Sequence, residues 1–133
     1  MSEFHFQPIK GQARTILRAI LKAPEVSSCP LKDALTIRLA CEEIVVNVTS
    51  YAYPKDSDGY LDVEIQKTNR ITICFKDAGA PFNPLEIKKP DTTLSWTQRR
   101  IGGLGIFLVT KKMDNVSYAY VNNENVLTIE KVI

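Results

Sequence analysis

The hydrophobic period of this chain changes along its length, and that change constrains the fold more than any other feature. From about Gly11 to Ala23 the apolar residues Ala13, Ile16, Leu17, Ile20 and Leu21 recur at helical spacing. From about Leu31 to Ala52 the same spacing returns in Ala34, Ile37, Cys41, Ile44, Val45 and Val48. Pro24 and the segment Val26-Ser27-Ser28-Cys29-Pro30 separate the two helices, and Pro54 with Asp56-Ser57-Asp58-Gly59 ends the second. The period then becomes two. Leu61, Val63 and Ile65 alternate with Asp62, Glu64 and Gln66, and after Thr68-Asn69-Arg70, Ile71, Ile73 and Phe75 alternate with Thr72, Cys74 and Lys76. That is an antiparallel hairpin with one apolar face.

Asp77 to Ile101 has no clear period and contains Pro81, Pro84 and Pro90, as functional lids often do. An apolar helix opens at Gly102-Gly103-Leu104-Gly105 and runs to about Met113. Two strands follow, Val116 to Val121 and Val126 to Val132, joined by Asn122-Asn123-Glu124-Asn125. A short edge strand is expected from Glu3 to Gln7, before Pro8. The order β, α, α, β, β, α, β, β predicts an α+β fold: a two-layer α/β sandwich, its sheet mostly antiparallel, with helices on one face.

Composition narrows the function. A chain of 133 residues fits one domain, 1–133, able to bury its own core. A formal charge of +2 is too small to make nucleic acid the main partner. Cys29, Cys41 and Cys74 are odd in number with no C-x-x-C spacing, so they read as reduced thiols. The single histidine, His5, leaves little basis for a zinc site or a His-dependent triad. The opening Met-Ser-Glu-Phe-His has no signal-peptide pattern, and no apolar run reaches the roughly 18–20 residues of a membrane span. A soluble cytoplasmic protein is expected. Lys10, Arg14, Arg18 and Lys22 recur every four residues of the first helix, as a solvated face or a docking surface for an acidic partner.

Three clusters carry chemistry. Glu43 and Asn47 lie one turn apart on one face of the second helix. A carboxylate there can take a proton from a hydroxyl or water, and a carboxamide oxygen can help hold Mg²⁺. Alone, such a pair reads as solvent-facing; among Ile44, Val45, Val46 and Val48 it needs partners. Asp77-Ala78-Gly79-Ala80-Pro81 follows a strand. It is either an ordinary turn or a loop where Gly79 permits close approach and Asp77 accepts a bond from an exocyclic amine. Gly102-Gly103-Leu104-Gly105 at a helix start is either a hinge or an anion site. It is neither a P-loop nor a dinucleotide fingerprint.

In this order the clusters resemble the ATP-binding (Bergerat) fold of gyrase-type ATPases and sensor histidine kinases. Within it, the chain is similar to the small anti-sigma-factor serine/threonine kinases. The similarity rests on Cys41-Glu42-Glu43-Ile44-Val45-Val46-Asn47 through Ala52-Tyr53-Pro54, on Asp77 to Pro84, on Gly102 to Val109 with Met113-Asp114, and on Asn125 to Ile129. The resemblance implies ATP and Mg²⁺ as cofactors and Glu43 as general base. It implies Asn47 as the Mg²⁺ ligand and Asp77 as the adenine acceptor. It puts Gly79 in the pocket wall, Thr128 on its floor, Gly103 and Gly105 at the phosphates, and residues from about 82 to 101 in a lid. Arg14 stands where a family arginine meets the partner protein. The implied function is a partner switch, in which the protein sequesters a sigma factor and phosphorylates a serine or threonine of its antagonist. A homodimer is implied too. Two departures stand out: Tyr51 replaces a common histidine, and Ile101 stands where a lid arginine often precedes the glycines, with Arg99 and Arg100 further back. A cation near the transferring phosphoryl normally supplies charge stabilisation. The alternatives are therefore a nucleotide-gated binding module without transfer and, less well matched, an ATP hydrolase.

Overall fold

The computed structural model describes residues 1–54, 56–86 and 104–133. The chain enters on strand β1 (Ser2–Phe6), then forms helices α1 (Ala13–Lys22), α2 (Pro24–Ser27) and α3 (Leu31–Tyr51). The hairpin β2 (Leu61–Lys67) and β3 (Arg70–Asp77) comes next. A 3-10 turn at Pro84–Glu86, helix α4 (Leu104–Lys112) and the hairpin β4 (Asn115–Val121) and β5 (Glu124–Val132) complete the described chain. Among the described residues the sheet has five strands in the order β1-β2-β3-β5-β4, every neighbouring pair antiparallel.

The expected sandwich is therefore present, and periodicity explains it. In β2 and β3 the odd-numbered Leu61, Val63, Ile65, Ile71, Ile73 and Phe75 are buried and meet Ile16, Ile20, Ile37, Ile44 and Val45 from the helices. The even-numbered Asp62, Glu64, Thr72, Cys74 and Lys76 occupy the opposite face, which is only partly covered. Burying aliphatic side chains of this size stabilises by roughly 1.5–3 kcal/mol each before entropy is counted. Cys29, Cys41 and Cys74 are free, and burial pushes the Cys41 thiol up to about 12, which keeps it inert.

Three details differ from the sequence expectation. The break after α1 contains the one-turn helix α2, started by Pro24, whose fixed φ and missing N–H suit a first helical position. Lys10 lies outside α1, so the exposed basic row is Arg14, Arg18 and Lys22. The β4–β5 connection is shorter than Asn122-Asn123-Glu124-Asn125. Asn122 and Asn123 turn the chain by themselves, at φ 55° and 64°, and β5 begins at Glu124. Two left-handed residues match the twist of a tight hairpin, and asparagine tolerates that conformation. No helix among the described residues is long and apolar enough to cross a membrane.

Candidate functional site

A cavity of about 300 Å³ opens between the C-terminal half of α3 and the end of the sheet where β3 finishes and β5 begins. Ile44, Asn47, Val48 and Tyr51 of α3, with Ala52 just after it, form one wall, and Phe75, Asp77, Leu127 and Asn125 of the sheet form another. Ala80, Pro81, Phe82, Pro84 and Tyr118 close the side. The lining is mostly apolar, as small-molecule pockets are.

Asp77 ends β3 with only 7% of its surface exposed. Its Oδ1 accepts from the Gly79 backbone N–H at 2.9 Å and from the Asn125 side-chain amide at 3.0 Å. Oδ2 accepts no hydrogen bond among the described residues. Burial pushes the carboxyl above its usual range, while the bonds from Asn125 and Gly79 pull it back.

The loop that carries Gly79 lies against the end of α3. A Cβ on Gly79 would stand 2.2 Å from the Ala52 carbonyl oxygen, so only glycine allows this approach. Tyr53 braces the same loop: its hydroxyl accepts from the Ala78 N–H at 2.8 Å and donates to the Tyr60 carbonyl at 2.6 Å. Gly59, at φ +59°, leaves room for the Tyr53 ring, 2.4 Å from where a Cβ would be.

On the helix wall, Asn47 lines the cavity and Glu43 stands one turn earlier. Neither side chain has a hydrogen bond or ion pair among the described residues. Partial burial raises the Glu43 carboxyl above its ordinary value, and the charge of Glu42 adds to the shift. A raised carboxyl with no partner suits a group that must take up a proton.

The structure thus brings Asn47, Asp77 and Gly79 together, with Glu43 one turn away. Gly105 lies in the first turn of α4, whereas Gly103 and most of the expected lid, 87–101, lie outside the described residues. Arg14 is exposed on α1. Tyr51, the departure from the expected histidine, lines the cavity. Thr128 is not on the pocket floor. It pairs with Cys74 and Ser117 in register, so the pleat turns it to the sheet face away from the helices. The inward residues of β5 are Asn125, Leu127 and Ile129. Sequence reasoning gave Asn125 no site role: the period counted this residue in the connecting loop, although the family resemblance began the last strand with it. The Asn-Asn pair, read as a two-residue turn, would have placed it in the strand.

The antiparallel sheet, its single helical layer and the slot ending on a buried aspartate define a histidine-kinase-like α+β domain. Residues 6–131 match the histidine kinase-like ATPase domain family, and the chain belongs to that family. The serine-protein kinase RsbW of Listeria monocytogenes serovar 1/2a is 30% identical over 90 residues, which cover 63% of this chain and 57% of that protein. RsbW of Listeria innocua serovar 6a is 29% identical over the same length. The matched stretch thus spans little more than half of these relatives. A chain in the SiaB–SiaC complex from Pseudomonas aeruginosa shares the fold at a TM-score of 0.55 and 12% identity, over 98% of this chain and 89% of that one.

Proposed function

We propose that this chain is an ATP-dependent regulator that phosphorylates a serine or threonine on a small antagonist protein and, in a partner switch, sequesters a sigma factor. The observation that carries the reading is the buried Asp77 carboxylate at the end of an apolar cavity, with Asn47 on the wall. Adenine is flat and apolar on its faces and offers one exocyclic amine, which fits an apolar slot with one buried acceptor. The likeness to RsbW supports a protein acceptor.

Mg²⁺ also suits these residues. No cluster of three His, Cys, Asp or Glu among the described residues could hold a metal. A single carboxamide oxygen from Asn47 suits a hard cation that takes most of its ligands from phosphate and water. Bound there, Mg²⁺ would supply charge neutralisation at the phosphates. The Glu43 carboxylate would accept the acceptor's hydroxyl proton. That oxygen would form a bond to the γ-phosphorus while the bond to the β–γ bridging oxygen breaks and ADP leaves. Gly105, in the first turn of α4, would lie near the phosphates, and Arg14, exposed on α1, would meet the partner. The protein would act in the cytoplasm as a homodimer.

One observation favours the alternative of a nucleotide-gated binding module: among the described residues, neither Lys nor Arg lines the cavity. Isothermal titration with ATP and Mg²⁺ tests the shared premise. Saturable binding that weakens several-fold in Asn47→Ala is expected; a wild type that binds no nucleotide sinks both readings. Transfer of labelled phosphate to a co-purified antagonist then separates kinase from binding module.

A further inference from the structure

The most completely determined side chain near the cavity is Asn125. It is 7% exposed and stands directly opposite Asp77 in the β3–β5 register. Its Nδ2 donates to Asp77 Oδ1 at 3.0 Å, to the Gly79 carbonyl at 3.2 Å and to the Ala80 carbonyl at 3.1 Å. Its Oδ1 accepts from the Phe82 N–H at 3.1 Å and from the Tyr118 hydroxyl. Three acceptors around the nitrogen and two donors around the oxygen allow one orientation of the amide. Rotating it by half a turn would set its oxygen against a carboxylate and two carbonyls. With all its polar valences used inside the protein, Asn125 has none left for a ligand.

We infer that Asn125 is the positioning residue that sets base specificity in the pocket: it holds Asp77 Oδ1 and the 78–82 loop in one frame, leaving Oδ2 to accept from a 6-amino-purine and repel a 6-oxo-purine. The inference rests on the nucleotide reading above and extends it. A carboxylate tethered through one oxygen cannot turn to relieve repulsion from a 6-oxo group, so discrimination follows from rigidity as well as charge. The amide also favours the ionised form of Asp77, against burial. An Asp77 freed of Asn125 would hold its proton to higher pH and could then donate to a 6-oxo group.

The test measures ATP and ITP affinities for wild type, Asn125→Ala, Asp77→Asn and the double variant, from pH 6 to 8. Asn125→Ala is expected to lower the ATP/ITP ratio about tenfold, mostly by weakening ATP, because a hydrogen bond to a charged group is lost. The ratio should not rise as pH falls, since the freed carboxyl is protonated more readily. In the Asp77→Asn background the same substitution should leave the ratio unchanged, since Asn125 acts through Asp77. Tyr118→Phe removes one hydroxyl from the same frame and should lower the ratio by a few-fold, which keeps the inference testable if Asn125→Ala misfolds. An unchanged ratio in folded Asn125→Ala or Tyr118→Phe, or an equal drop in both backgrounds, overturns the inference while leaving the nucleotide reading intact. A wild type that binds neither nucleotide overturns both.

Discussion

The two ends of the cavity are built in opposite ways. At the sheet end, Asp77 and Asn125 bond to each other, and Gly79, Ala80, Phe82 and Tyr118 complete the network. At the helix end, Glu43 and Asn47 have no side-chain hydrogen bond among the described residues, and burial raises the Glu43 carboxyl. A group that recognises a ligand gains from being held still, because its orientation is already fixed before binding. A group that must move a proton or share a cation gains from keeping its lone pairs open. Under the proposed function, the recognition end is satisfied internally and the chemical end is left open for what binds there.

Glu43→Ala should break the comparison most sharply. Phosphoryl transfer should fall about 10²–10⁴-fold in a labelled-phosphate assay, the usual span for a lost general base, with ATP affinity nearly unchanged. A Glu43 that acts as the base would work only when ionised. The rate should therefore fall as pH drops through a value above the ordinary carboxylate range, following the raised Glu43. Wild-type rates in Glu43→Ala would remove this residue from the mechanism.

Asp77→Asn acts on the other end. ATP affinity should fall about 10–100-fold by titration calorimetry, as expected when a charged acceptor is lost. Stability should respond in the opposite sense. Because burial raises the folded-state pKa of Asp77, its contribution is full below the unfolded value of about 4 and declines as pH rises through the folded one. Melting curves should therefore shift in favour of Asp77→Asn between pH 4 and 7.

Gly79→Ala should lower the Tm by roughly 5–10 °C, the scale of an overpacked site in a domain of this size. The new methyl would meet the backbone of Ala52 at the C-terminal end of α3, which cannot swing aside as a side chain would. The smallest effect belongs to Thr128→Ala, within about 0.5 kcal/mol in stability and without change in ATP affinity. A marked loss of ATP binding there would contradict the register that turns Thr128 away from the cavity.

The sequence by itself determined the order of the longer elements, the sandwich and the placing of Glu43 and Asn47 one turn apart on a helix, because helical and alternating periods are local and each follows from a few neighbouring residues; the one-turn helix α2 is too short to carry a period. The close approach that makes Gly79 necessary was legible only as a glycine; the Ala52 carbonyl it meets is distant in sequence. The floor of the pocket was decided by tertiary structure alone. Val126, Leu127, Thr128 and Ile129 give β5 apolar residues at both parities, so its pattern does not say which side faces inward. Pairing with β3 does: Asp77 meets Asn125 and Cys74 meets Thr128, a register set between strands distant in sequence. Side chains alternate along a strand, so Asn125 shares the inward face with Leu127 and Ile129 and bonds to the aspartate, while Thr128 takes the opposite face.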